Sequence, residues 1–82
     1  MTGRHAAMIL AVIVFAAVAY EFVPILIGCG IKGNISKGPR ERIYHVVGQK
    51  YYHSTLINPF QGERWFCSEK AARAAGWRRS RV

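Results

Sequence analysis

From Ala6 to Tyr20 the chain is uninterrupted apolar or small, and past Glu21 the run resumes with Phe22-Val23-Pro24-Ile25-Leu26-Ile27. Wound as a helix at about 1.5 Å per residue, Ala6 to Ile27 is long enough for the roughly 30 Å hydrocarbon core of a bilayer. Glu21 is its one charge. It lies toward the C-terminal end, where a carboxylate reaches the interface and costs less than the roughly 3 kcal/mol of a mid-bilayer position. Pro24 can kink the last turn.

Gly28, Gly30 and Gly33 then break the helical pattern. Ile31-Lys32-Gly33-Asn34-Ile35 alternates as a short edge strand, and Ser36-Lys37-Gly38-Pro39 turns the chain. Arg42 to Val47 is rich in aromatic and β-branched residues and reads as a strand ended by Gly48. Gln49 to Leu56 fits either a helical turn or an irregular aromatic loop. Asn58-Pro59-Phe60-Gln61-Gly62 carries strong turn chemistry, after which Arg64-Trp65-Phe66 returns as a strand. Ser68 is placed to cap a helix from Glu69 to about Ala75, with Glu69 near the positive end of its dipole and Gly76 at its left-handed stop. Trp77-Arg78-Arg79 makes a last short strand.

The pattern therefore predicts an α+β chain: a transmembrane or signal helix, then a small head of three or four strands and one helix. The expected boundaries are an N-terminal tail at 1–5, an anchor or signal segment at 6–27, a basic domain at 28–79 and a disordered tail at 80–82. Ile31, Ile35, Ile43, Tyr44, Val46, Leu56, Ile57, Trp65, Phe66 and Trp77 supply a thin core.

Charge sharpens this division. Of 12 basic residues only Arg4 precedes residue 31, so the net charge of +8 belongs to the head. Such a balance points to anionic partners. A head of this size is marginal on burial alone. The chain's 2 cysteines, Cys29 and Cys67, would close a loop worth roughly 4 kcal/mol in the chain-entropy model if joined. A disulfide of this kind makes sense outside the reducing cytoplasm; in a cytoplasmic-facing head the same residues would be two buried thiols.

The N-terminal segment admits three fates. It can be retained as an anchor, cleaved at the small-x-small Ala17-Val18-Ala19, or processed at Leu26-Ile27-Gly28-Cys29, which resembles a lipoprotein lipobox. All three export the head, so the expected location is the inner membrane with the C-terminal head in the periplasm, or the periplasm after cleavage. Lys32, Lys37, Arg40 and Arg42 on the C-terminal flank argue the opposite way by the positive-inside rule. The apolar start and the disulfide outweigh them.

Several spaced segments carry a family resemblance: Ile31-Lys32-Gly33-Asn34-Ile35-Ser36, Arg42-Ile43-Tyr44-His45, Gly48-Gln49-Lys50-Tyr51-Tyr52, Gly62 through Glu69, and Ala75-Gly76-Trp77-Arg78. Together they resemble a small bacterial domain. It occurs alone behind a membrane segment, or appended to secreted thermonuclease-like proteins of alphaproteobacteria, some labelled succinoglycan biosynthesis proteins. The resemblance covers residues 29–79 and implies an accessory domain without a known activity. More distantly, the order Ile-Tyr-His, aromatic-Cys-Ser-Glu, Ala-Gly-aromatic-Arg is similar to the zinc domain of the Ada DNA-repair protein. This chain has Gly48-Gln49-Lys50 and Arg79-Ser80-Arg81-Val82 where that domain places further cysteines. A structural zinc needs four ligands, and Cys29, Cys67, His45 and His53 have no ligand spacing, so no metal is expected.

Catalysis is not expected either. A calcium-dependent nuclease needs clustered carboxylates, and the chain has no Asp. Cys67 with His45 or His53 would need a free thiolate and an oxyanion motif. No cofactor motif appears. Binding fits better: Arg42, Arg64 and Arg78 interleave with Tyr44, His45, Tyr51, Tyr52, Trp65 and Trp77, a mixture suited to phosphate contacts and stacking. These nine residues are the candidate ligand-binding set. The expected function is a non-catalytic, membrane-anchored periplasmic module contacting nucleic acid or an acidic polysaccharide. The alternative is a protein-interaction accessory domain of an envelope nuclease or exopolysaccharide-assembly system, with an envelope protein as its partner.

Overall fold

The computed structural model describes residues 3–82; Met1 and Thr2 of the expected tail lie outside the described residues. A single helix, α1, runs from Gly3 to Leu26 with no buried residue, and it is long and apolar enough to cross a membrane. Arg4 and His5 are therefore helical. Pro24 sits in the last turn, where the helix is already ending. Cys29 N donates to Pro24 O at 2.7 Å and Gly28 N to Ile25 O at 3.3 Å, with Gly28 at φ 82°. This double bond pattern around a left-handed glycine closes the orphan carbonyls of the helix and turns the chain back on itself.

The head is α+β, as its alternation predicts. Strands β1 (Ile31–Ile35), β2 (Arg42–His45), β3 (Arg64–Phe66) and β4 (Arg78–Arg79) form one sheet in the order β3-β1-β2-β4, and α2 spans Glu69–Ala74. β1 pairs antiparallel with both β2 and β3, while β4 lies parallel to β2. The expectation that β1 is an edge strand is thus corrected: it is interior. Gly33 is what admits it there. A Cβ at that position would come within 2.8 Å of both Arg64 O and Phe66 Cε2 and 3.2 Å of Trp77 Cζ3. The edges fall instead to the two shortest, arginine-bearing strands, which offer little template for pairing with another chain.

The two faces of the sheet differ. Register places Ile31, Gly33, Ile35, Tyr44 and Phe66 on one side. There Tyr44, Phe66, Ala72 and Trp77 make the hydrophobic core, with Ile31, Ile35 and Val46 packed against it. Ser68 Oγ caps α2 by accepting from Ala71 N at 3.0 Å. Gly76, at φ 91°, stops it so that Trp77 N can return to Ala72 O at 3.0 Å, seating the indole edge-to-face on Phe66. The other face carries Lys32, Asn34, His45 and Trp65, covered by residues 49–57 and by the end of α1.

Three further expectations change. The strand expected to reach Val47 ends at His45, because Gln49 Oε1 takes the Val46 N–H at 3.0 Å and starts a series of turns. Leu56, expected in the core with Ile57, is 66% exposed, whereas Ile57 is buried as expected and Tyr52 is buried as well. The tail at 80–82 is tied down: Ser80 is buried, its N–H donates to Tyr44 O at 2.8 Å, and Lys50 N donates to Val82 O at 2.7 Å. The expected disulfide joins Cys29 to Cys67. It fastens the exit of α1 to the corner between β3 and α2.

Candidate functional site

Across the second face, Trp65, Lys32 and His45 stand in one row on three adjacent strands, since Lys32 is in register with both of its neighbours. Lys32 is 3% exposed, although a lysine is rarely buried unless paired. Its Nζ donates to Tyr52 O at 2.9 Å and Thr55 O at 2.6 Å, and lies 4.5 Å from the Tyr52 ring and 5.5 Å from the Trp65 ring. Tyr52 in turn donates its hydroxyl to Gly30 O at 2.6 Å. The ammonium thus fastens the 51–55 turns onto the sheet. Burial lowers the Lys32 pKa from its usual 10.5, and the nearby Glu21 carboxylate partly opposes this. Burial, then the Lys32 charge, lowers His45 from 6.5. Burial, then Glu21, raises Tyr52 from 10.0.

Glu21 closes this layer from the helix side. Its Oε1 accepts from Ile57 N at 3.1 Å. Its Oε2, together with His45 Nδ1 and Trp65 Nε1, is buried without a partner among the described residues. A groove of about 410 Å³ separates α1 from the head here, with Glu21 and Lys32 at its polar end and Val18, Phe22, Ile25 and Leu56 along its apolar wall. Chemically the layer is suited to holding backbone in place. Lys32 is closed to approach, and its ammonium is committed to two carbonyls.

Glu63 plays a similar part at the opposite end of β1. It is buried, and its carboxylate accepts from Asn34 Nδ2 at 2.7 Å, Ile35 N at 2.8 Å and Asn58 N at 2.9 Å. Two of the four carboxylates are therefore spent inside the fold. The other two meet cations: Glu41 bridges Arg78, and Glu69 bridges Arg73 and Arg79. Lys37, Arg40, Arg42, Lys50, Arg64, Lys70 and Arg81 are exposed and have no carboxylate in bridging range among the described residues.

The nine candidate binding residues separate on this map. Arg42 and Arg64 are exposed on the core-facing side of the sheet, their guanidiniums lying 6.0 Å from the Trp77 ring and 4.9 Å from the Phe66 ring. Tyr51 is exposed, with Lys50 Nζ 5.3 Å from its ring. Arg78 is tied to Glu41, and Trp65 is half-buried. Tyr44, His45, Tyr52 and Trp77 are buried and do not offer a stacking surface. Tyr44 is further occupied at its hydroxyl, which donates to Glu69 Oε1 at 3.1 Å and accepts from Arg73 Nη1 at 2.9 Å. Sequence reasoning missed Lys32, Glu21 and Glu63 as members of the fold's interior. The available signal was Glu21 itself, a lone charge in an apolar segment that needs a partner. No group of three or more His, Cys, Asp or Glu side chains comes together as a metal site among the described residues. No protein-family model, curated protein or solved structure matches the chain.

Proposed function

We propose that this chain is a non-catalytic module anchored by α1, its head held in the periplasm, and that it binds an anionic polymer through its charges. The observation that carries the reading is the set of seven exposed basic side chains with no carboxylate partner among the described residues. A protein that leaves so many cations unpaired on about fifty residues of head gains little stability from them, but it gains affinity for closely spaced negative charge. With Tyr44, Tyr52 and Trp77 inside, base stacking by the nine candidate residues is confined to Tyr51 and the open part of Trp65. That favours a ligand read through its backbone charge, an acidic polysaccharide or a nucleic-acid strand, over one read base by base. The disulfide supports the periplasmic side, because such bonds persist outside the reducing cytoplasm. The resemblance to a domain appended to secreted proteins points the same way.

The test is binding of the full chain, reconstituted in lipid nanodiscs, to single-stranded DNA and to an acidic polysaccharide across a salt series. If all seven cations contact a single strand, log K falls with log salt at a slope of about −5. Saturable binding to one polymer names its class. No binding to either at low salt overturns the proposal and leaves the protein-partner alternative.

A further inference from the structure

The chain does not continue away from α1 after Cys29; it runs back beside the helix. Gly30 lies against Ile25, where an added Cβ would be 3.2 Å from Ile25 Cα. Two residues on, Lys32 shares the groove with Glu21. At the end of β1, Ile35 N is held by Glu63, which also takes the N–H of Asn58, the neighbour of the Ile57 bonded to Glu21. Moving up the strand therefore means moving down the helix. The overall dimensions agree. The molecule is 49 Å long, while the 24 residues of α1 occupy about 36 Å at 1.5 Å each, so much of the head overlaps the helix.

This overlap shortens what α1 can place in lipid. Head residues meet the helix from Ala17 onward. Gly3 to Ala16, the part that stands clear, measures only about 21 Å against a hydrocarbon core of roughly 30 Å. Yet Phe22, Leu26 and Ile27, level with the head, keep large apolar surfaces exposed. Both facts are met if the near rim of the head lies at membrane depth beside α1. That rim has the right chemistry. The turn at 58–62 connects Ile57, bonded to Glu21, with Glu63, and at its tip Phe60 is 98% exposed, with Leu56 also open nearby. Gln61 borders a hollow with Lys37 and Arg40 from the β1–β2 turn, two of the cations without a carboxylate. Exposed aromatic and leucine side chains beside lysine and arginine make the usual composition of a surface seated at the headgroup and acyl boundary.

We infer that the rim formed by Leu56, Phe60, Lys37 and Arg40 is a membrane-docking surface, with the two apolar side chains in the boundary region and the two cations on anionic lipid phosphates. The inference rests on α1 lying in a membrane; it does not need polymer binding, but it withdraws Lys37 and Arg40 from the polymer and leaves five cations for it, a slope of about −3.5 on a single strand.

The experiment places an NBD fluorophore at Phe60→Cys, and separately at Val47→Cys and Val14→Cys, in the full chain reconstituted into vesicles of phosphatidylcholine with phosphatidylglycerol. Phe60 and Val47 are exposed, and Val14 faces outward from α1, so none is needed for folding. The docked rim gives blue-shifted emission at 60, quenched by nitroxide lipids labelled near the headgroup. It gives aqueous emission at 47, on the far side of the head, and deep quenching at 14. Replacing Lys37 and Arg40 by Gln lowers the docked-to-undocked ratio at 60 by about fivefold per charge, and by nothing in phosphatidylcholine alone. Aqueous emission at 60 with deep quenching at 14 overturns the docked rim while leaving the anchor. Aqueous emission at all three positions overturns both. Docking indifferent to Lys37 and Arg40 overturns their assignment to lipid phosphate.

Discussion

Replacing Cys29 and Cys67 together by Ser removes the one covalent constraint on the head. The two residues are 38 apart in sequence. Closing a loop of that length lowers the entropy of the unfolded chain by an amount worth about 4 kcal/mol at 25 °C. Three of the four strands, β1, β2 and β3, lie inside the loop, and only α2 and β4 are held by noncovalent contacts alone. A head of about fifty residues has a total stability of only about 3–8 kcal/mol. The double variant should therefore lose half or more of it, and the head's melting temperature should fall by about 30 °C. Far-ultraviolet circular dichroism is the wrong probe, since α1 holds most of the helix and stays folded in micelles whether or not the head does. Both tryptophans, Trp65 and Trp77, lie in the head, so near-ultraviolet dichroism or tryptophan fluorescence in detergent reports the head alone. Dithiothreitol should reproduce the effect on the parent chain, because Cys67 is exposed. A midpoint that moves by less than about 5 °C would refute the reasoning, and would mean that the core and the buried polar layer suffice by themselves.

Four other substitutions test the interior. Gly33→Ala should destabilise by about 2 kcal/mol or more, because its Cβ meets the Arg64 carbonyl, a backbone atom that cannot step aside; an unshifted urea midpoint would contradict this. Glu63→Gln should cost about 2 kcal/mol, since an amide cannot accept from Asn34, Ile35 and Asn58 at once; denaturation against the parent at neutral pH decides it. Lys32→Met should cost a similar amount, about 2 kcal/mol, by leaving the Thr55 carbonyl unpaired and the Tyr52 carbonyl with the long Thr55 N–H bond alone. The measurement is hydrogen exchange of the 51–57 amides, which should quicken while those of α2 hold. His45 supplies a pH test: because its folded pKa lies below 6.5, the unfolded chain takes up the proton first. Stability is then complete above pH 6.5 and declines as the pH falls through that value toward the folded pKa. His45→Gln should flatten that part of the stability profile, and an unchanged slope would remove His45 from the account.

The division of this fold that could be read along the chain is the one set by local rules. Apolar length gave α1; Ser68 and Gly76 gave the two ends of α2; the turn chemistry of Asn58 to Gly62 gave the 3₁₀ turn that Asn58 and Gly62 cap. Cysteine count gave the disulfide. What escaped was the identity of the second face of the sheet. Alternation in Ile31-Lys32-Gly33-Asn34-Ile35 separates two faces but does not say whether the polar one meets water. Lys32 therefore looked like a solvated edge residue, and Tyr52 like an available ring. The deciding partners are distant in sequence: Glu21 comes from the helix, and the Tyr52 and Thr55 carbonyls from turns with no periodic signature. A buried ammonium is tolerable only where all of these arrive together, so no window of the chain could show it.

The same accounting explains Glu21. Within α1 it looks like a cost imposed on a membrane segment, yet it receives the Ile57 amide and lies near the Lys32 charge. The helix and the head are thus built as one piece at this level, and the one charge of the apolar run is the one that registers the head against the helix. Glu21→Leu would lengthen the apolar run and improve membrane insertion by up to about 3 kcal/mol. It would also strand the Ile57 N–H and remove the carboxylate that shares a groove with Lys32, costing the head about 2 kcal/mol. The expected result is a chain that inserts better and holds its head less firmly, read as faster proteolysis at residues 51–61 in intact vesicles. Equal protection of that segment in both proteins would show that Glu21 contributes nothing to the joint.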